Sequence, residues 1–336
     1  MMHLVQLQRE GERRVALVDG EDLRLLESTE SVYALALEAI ESGQRLTALA
    51  ATRVGSQTLT YDSVYYAHQR TSEWRLLPAF DHPHDPAHCL VSGTGLTHKA
   101  SAENRSAMHS GAQPVVTDSL RMYRMGVEGG TPEAGKVGVQ PEWFYKGDGS
   151  VLRAHGEELA VPSYGEDGGE EPEIAAAYVI SRSGKPFRVG LMTGDEFSDH
   201  IMEKRNYLYL APSKLRDCAV GPELVVGDVD FASVRGTVSI VRAGEVVWTK
   251  AIWTGEANMC HSVANLEHHH FKYAAHRRPG DAHIHFFGAD AFSFGEGVAL
   301  REGDLMEVAW SGFGRALRNP LHFFARPEPF ETVDAA

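Results

Sequence analysis

The chain has 336 residues, 43% hydrophobic and 23% charged, an ordinary balance for a globular protein long enough to bury a large core. Its 32 Lys and Arg against 46 Asp and Glu give a formal charge of −14, which argues against a nucleic-acid surface because phosphate binding needs dense cationic residues. An anionic small molecule fits such a chain only where a metal ion and a few lysines create a local positive site. No apolar run approaches the ~20 residues of a membrane span, and the start MMHLVQLQREGERR lacks the apolar stretch of a secretory signal, so a cytoplasmic protein without a membrane partner is expected. Cys89, Cys218 and Cys260 form no CxxC pair, so buried reduced thiols are expected rather than disulfides or a zinc ribbon.

In chain order, LVQLQREGERRVALVDG alternates as a hairpin turning at Glu10-Gly11. The next stretch, STESVYALALEAIESG, places Val32, Leu35, Ala36, Ala39 and Ile40 at helical spacing, with Ser or Thr at the start and Gly43 past the end. These elements suggest a small α+β unit over residues 1–85. Between about residues 80 and 110 the pattern breaks into DHPHDPAHCLVSGTGLTHKASAENRSAMHS, with five histidines. So polar and long a stretch reads as a loop, and residues 90–110 as a lid or active-site wall. From Pro141 strands dominate, and GTVSIVRAGEVVWTKAIWTG is two alternating strands joined at Ala243-Gly244. One helix, in NMCHSVANLEHHHFKYAAH, interrupts them before AHIHFFGAD and DLMEVAWSGFG. The fold class expected is α+β, mainly β, with a large domain over residues 86–330.

The chemistry lies in EDGGEEPEIAAAYVISRSGKPFRVGLMTGDEFSDH. Strand side chains alternate, so Glu171 and Glu173 share one face at the mouth of the apolar run IAAAYVI, with Pro172 turned away. Two like charges so placed repel unless a cation sits between them. The competing explanation is a solvated acidic edge continuing Glu166, Asp167 and Glu170. A second carboxylate pair, Asp195-Glu196, tips the balance: it follows Gly194, where the backbone can bend it back toward the first pair. Oxygen-only ligands suit a hard ion, and three carboxylates with open positions favour Mg²⁺, with Mn²⁺ or Ca²⁺ as alternatives.

These motifs are similar to those of the fumarylacetoacetate hydrolase family. The likeness rests on EPEI, on GLMTGDEFSD where the family has Asn-Asp-x-Ser, on SKLRDCAVGPEL with its Lys and Gly-Pro, and on PEWFYKG, RPGD and LREGDLMEVAWSGFGRALRN. It covers about residues 90–325. It implies a C-terminal mixed β-roll after a small N-terminal domain, and a homodimer. Keeping Ser198 in register places Glu196 where the family has its metal-binding Asp, so Glu171, Glu173 and Glu196 are the implied metal ligands, with Asp195, standing where the family has Asn, as the alternative third ligand or a group that braces one.

The resemblance also implies roles around the metal. Lys214 matches the lysine that contacts the substrate oxygens, where an ammonium stabilises an enolate. Lys146, Thr97 and Ser198 are implied substrate contacts. His98 matches a lid histidine that serves as base, and Glu103 is its expected partner because Ser101 occupies the family's glutamate position. Ala289 replaces a threonine found in hydrolase members, pointing to another substrate. His268, His269 and His270 fan out about 100° apart on a helix and converge on no single ion. His283 and His285 share a strand face and read as structural or substrate-facing.

Family members act on small anionic 2-oxo acids, and the stretches GTGLTHKASAENR and NLEHHHFKY look most like a branch tied to L-arabinonate catabolism. For that branch the implied enzyme is a dehydratase taking 2-keto-3-deoxy-L-arabinonate to 2,5-dioxopentanoate. A C–C bond hydrolase of 2,4-diketo acids is the alternative, and a non-catalytic metal-dependent sugar-acid binding protein the second.

Overall fold

The computed structural model describes residues 1–67, 73–109, 117–325 and 327–336. The N-terminal part runs β1 (Met2–Arg9), β2 (Glu12–Asp19), β3 (Asp22–Leu26), α1 (Val32–Ser42), α2 (Leu46–Thr52), β4 (Val54–Thr60), α3 (Tyr61–Tyr65) and β5 (Arg75–Leu76). The expected hairpin forms because Glu10 and Gly11 both take positive φ, 49° and 88°, which matches the twist of paired strands. Helix α1 forms as expected: the Ser31 side chain accepts from the Ala34 N–H, and Gly43 closes the helix at φ 67°.

The rest runs β6 (Cys89–Gly93), α4 (Lys99–His109), α5 (Asp118–Gly129), β7 (Phe144–Asp148), β8 (Leu152–Arg153), β9 (Leu159–Val161), β10 (Pro172–Ile180), β11 (Pro186–Asp195), α6 (His200–Arg205), α7 (Leu210–Lys214), β12 (Cys218–Val226), β13 (Val234–Arg242), β14 (Glu245–Thr254), α8 (Val263–Phe271), β15 (Ala282–Phe286), β16 (Leu305–Trp310) and β17 (Leu317–Phe323). Mixed α and β, with strands dominant, is the fold class the sequence implies. The 80–110 segment is not a loop throughout. Its CLVSG stretch is β6, inside the sheet between β15 and β7, and KASAENRSAMH is the helix α4.

Twelve strands form one sheet in the order β4-β3-β2-β1-β12-β11-β10-β15-β6-β7, with β5 on β1 and β8 on β12, and five form a second, β14-β13-β16-β17-β9. The N-terminal strands join the first sheet through β1, whose Leu4 pairs with Leu224 of β12. A domain boundary near residue 85 would cut the sheet there, and the two-domain division stays a proposal.

Strand β10 is the axis of the core. Every residue of PEIAAAYVI is buried, and the two faces enter different cores. Ala175, Ala177 and Val179 pack with Leu35, Ala36 and Ala39 of α1, whereas Ile174, Ala176, Tyr178 and Ile180 pack with Val238, Ile252 and Trp310 of the second sheet and Leu266 of α8. A strand covered on both sides must be apolar at every position, which is why this run lacks polar alternation. Fully burying such a branched side chain contributes about 1.5–3 kcal/mol. Those contacts fix β10 from both sides, with Glu173 its second residue and Glu171 one residue ahead of the strand.

The N-terminal unit is also bolted to β17. His155 Nε2 donates to the Tyr65 carbonyl at 3.0 Å, its Nδ1 accepts from the Arg318 N–H at 3.2 Å, and its ring stacks on Tyr65 at 4.1 Å. Burial pushes the imidazole down to about 4, against opposing backbone contacts. The unfolded chain, with an ordinary histidine near 6.5, therefore binds the proton first, so this stability is complete above pH 6.5 and falls as pH drops toward 4. Between pH 6.5 and 5 the loss is about 2 kcal/mol. Thermal unfolding should show a smaller drop in Tm over that interval for His155→Gln than for the native chain, even though the variant starts lower at pH 7.5.

Candidate metal and catalytic site

Strands β10 and β11 pair antiparallel with Pro172 opposite Asp195 and Glu173 opposite Gly194. That register brings the start of one strand beside the end of the other, and the Glu196 N–H bonds the Glu171 carbonyl at 3.0 Å. One carboxylate oxygen each from Glu171, Glu173 and Glu196 lies within 4.8 Å of the others. Among the described residues this is the only group of three or more His, Cys, Asp or Glu side chains gathered closely enough to hold an ion. The pairing of β11 with β12 is irregular between Met192 and Gly194, and a Cβ at Gly194 would lie 2.5 Å from the Phe286 ring, so the glycine also leaves room for that ring.

Asp195 faces away. Its Oδ1 accepts the Glu171 N–H at 3.0 Å, and burial together with Glu170 pushes its pKa up to about 8. Burial, then Glu196 and Glu171, push the Glu173 carboxyl well above its ordinary range. Three buried oxygen donors under mutual repulsion are a fitting cradle for a small hard dication. Glu171, Glu173 and Glu196 would hold it.

Around this cradle the charges alternate. Lys214, at the end of α7, is fully buried, and its Nζ lies 2.6 Å from both Glu171 Oε1 and Glu196 Oε2 and 2.7 Å from Ser198 Oγ. Burial opposes its charge, but Glu171, Glu196 and Glu203 raise its pKa and keep it an ammonium. Lys146, on β7, is equally buried and reaches Glu196 Oε1 and the Phe197 carbonyl, each at 2.7 Å. Burial drives Glu171 upward, yet Lys214, His200 and Arg105 hold it well below the usual carboxylate range.

The expected substrate and proton-transfer residues divide. Ser198 donates to Glu196 Oε2 at 2.8 Å, so it and Lys146 brace an implied metal ligand. Thr97 donates to the Phe287 carbonyl at 2.7 Å, and its neighbour Gly288 gives its N–H to Glu173. The two ring nitrogens of His98 meet Thr97 Oγ1 at 2.9 Å and Thr254 Oγ1 at 3.2 Å, and burial pushes its pKa down to about 3. Glu103 lies on the exposed side of α4 and pairs with Lys99 at 3.5 Å. The structure thus pairs His98 with hydroxyls where the sequence suggested Glu103, because Glu103 lies on the helix's outer face.

Four residues not singled out in the sequence join the site. His200 donates from Nε2 to Glu171 at 3.1 Å and stacks on Phe292 at 4.6 Å. Glu142, Glu203 and Arg105 form a buried group: Arg105 Nη1 meets both Glu142 oxygens at 3.0 and 2.9 Å, and Nη2 lies 3.4 Å from Glu203. The sequence offered slight signals, a histidine just after the Ser198 motif and a glutamate just ahead of FYKG. His270 and His283 meet at 3.0 Å, and His285 bridges Ser92 and Thr94 at 2.9 and 2.8 Å. Burial lowers the pKa of all three, leaving neutral rings in the core.

No family model matches the chain. It is 35% identical over 122 residues to a 2-dehydro-3-deoxy-D-arabinonate dehydratase of Saccharolobus solfataricus and 31% identical over 121 residues to a probable 2-keto-3-deoxyxylonate dehydratase of Haloferax volcanii. Each match takes in 35% of this chain and 40% of the relative, so the chain spans two fifths of the length of the curated relatives it matches. A structure of 2-keto-3-deoxy-D-arabinonate dehydratase complexed with magnesium and 2,5-dioxopentanoate superposes with a TM-score of 0.70 at 22% identity, covering 97% of this chain and 100% of that one. The chain shares the fold of that dehydratase. A 2-hydroxyhepta-2,4-diene-1,7-dioate isomerase from Mycobacterium marinum shares the fold more distantly, at a TM-score of 0.59 and 14% identity over 97% of this chain and 100% of that one.

Mg²⁺ at about a hundredfold its Kd should stabilise the protein by about 2.7 kcal/mol, raising Tm by several degrees. Glu173→Gln should abolish that rise, and the rise should shrink with falling pH because the ligands must lose their protons.

Proposed function

We propose that the protein is a Mg²⁺-dependent dehydratase of 2-keto-3-deoxy sugar acids, converting a substrate such as 2-keto-3-deoxy-L-arabinonate to 2,5-dioxopentanoate. The observation that carries this reading is the fully buried Lys214 ammonium set against two of the three gathered carboxylates, and relatives named as such dehydratases support it. The ion, when bound, would supply a Lewis acid for the carboxylate and keto oxygens of a 2-oxo acid, making C3 acidic. Mn²⁺ or Ca²⁺ could occupy the same oxygen donors. The family resemblance adds a cytoplasmic homodimer and a place in arabinose degradation.

Each residue then has a task. Lys214 stabilises the enolate oxygen as the C3 proton leaves. Lys146 and Ser198 hold Glu196 in place. Proton removal falls to Glu142 rather than His98, because both His98 nitrogens are hydrogen-bonded and burial has made its ring a weak base. Two runs of contacts connect Glu142 to the cradle. Arg105 and Glu203 link it to Lys214, and it presses on Gly95, in the loop whose Thr97 packs on Gly288 beside Glu173. The proton passes from C3 to Glu142, the C4–O bond breaks, and Glu142 returns that proton to the departing hydroxyl, which leaves as water. The resulting 3-en-2-one shifts a proton from C5 to C3 to give the C4=C5 enol, which loses its hydroxyl proton and gains one at C4 to become the 5-aldehyde.

The test is a Mg²⁺-dependent assay with 2-keto-3-deoxy-L-arabinonate beside an acylpyruvate. Dioxopentanoate is the expected product, and Glu173→Ala should abolish it. Pyruvate from the acylpyruvate alone would make the protein a C–C hydrolase, and metal binding without either product a sugar-acid binding protein. Glu142→Gln should lower kcat by about 10²–10⁴-fold, whereas His98→Asn should lower it less than about tenfold. The reverse order would return the base to His98.

A further inference from the structure

Resting on that reading, we propose that Arg105 is a positioning residue that orders the two carboxylates on either side of it and, through one of them, the catalytic lysine. Its guanidinium is buried on α4 and takes both oxygens of Glu142 in one direction and Glu203 in the other. Glu203, on α6, accepts the Ser213 hydroxyl at 2.9 Å and lies 3.4 Å from Lys214 Nζ. Lys214 in turn bridges Glu171 and Glu196. One continuous run of alternating charge therefore reaches from the proton acceptor to the metal cradle, and Arg105 is its hinge between α4, α6 and the segment ahead of β7.

The geometry explains why this position takes an arginine. A planar fork reaches two carboxylates at a fixed angle, which the point charge of a lysine cannot do. Tyr207 adds a second restraint, its hydroxyl donating to Glu142 Oε1 at 3.3 Å. Without Arg105, Glu142 and Glu203 would be buried with too little positive charge, a situation that costs far more than a surface pair does. Glu203 would then draw Lys214 toward itself and away from Glu171 and Glu196. The guanidinium itself needs no contact with substrate, and its partners occupy the ends that face Glu142 and Glu203.

The experiment compares wild type, Arg105→Lys, Arg105→Ala and the isosteric Glu203→Gln in the presence of Mg²⁺. It follows dehydration of the sugar acid and, separately, exchange of C3 protons of 2-oxobutanoate in D₂O by NMR. Arg105→Lys should lose about a hundredfold in kcat, the scale of an ångström's misplacement, with KM and the Mg²⁺-induced rise in Tm unchanged. Glu203→Gln should show the same pattern more weakly, and guanidinium ion, but not ammonium, should restore at least about tenfold to Arg105→Ala. Wild-type kcat in Arg105→Lys overturns the inference. So does a loss confined to KM, which would make Arg105 a substrate ligand. Proton exchange without dehydration in the wild type removes the dehydratase reading and leaves the variants to decide the role of Arg105. A wild type that neither exchanges nor dehydrates overturns both.

Discussion

The site depends on one buried ammonium. Lys214 sits without solvent between Glu171 and Glu196, and neither the lysine nor those carboxylates could stay charged there alone, since a buried ion costs several kcal/mol without a partner. Together they can. The same neighbours then set the other contacts: His200 against Glu171, Lys146 and Ser198 against Glu196, and Glu203 against Lys214 itself. Such an array holds charge in a low-dielectric pocket, where each electrostatic contact is far stronger than it would be in water.

Rigidity comes from the strand that presents the array. Strand β10 is held on one face by α1 and its neighbours and on the other by the second sheet, so the tip bearing Glu171 and Glu173 is fixed by packing rather than by loop conformation. Asp195 illustrates the economy of the arrangement. One residue from Glu196 along the chain, it points the other way, takes a backbone N–H, and is pushed toward its neutral form. Alternation along a strand assigns one carboxylate to the cradle and its neighbour to the framework.

Much of this was legible in the chain. Glu171 and Glu173 share a face by strand periodicity, and the resemblance to a known family put Glu196 and Lys214 beside them. The N-terminal hairpin, α1 and the β13–β14 hairpin follow from turn and cap residues that act within a few positions of themselves. The segment around residues 89–109 was less legible because its strand is short and its helix, KASAENRSAMH, has no apolar stripe. What makes β6 a strand is its place between β15 and β7, a contact far away in sequence.

Local geometry and chemical type were written in the chain: which residues form hairpins and capped helices, and that clustered carboxylates suit a hard metal, while the lysine's role and a 2-oxo acid came from the family resemblance. Only the tertiary structure decided partners. Arg105, Glu142 and Glu203 lie on three separate elements and carry no spacing that links them, and His98 and Glu103, close in the chain, part company because one is buried and the other lies on the helix's outer face. Periodicity governs neighbours a few residues apart, whereas ion pairing between distant segments depends on how sheets and helices pack, which no local pattern encodes.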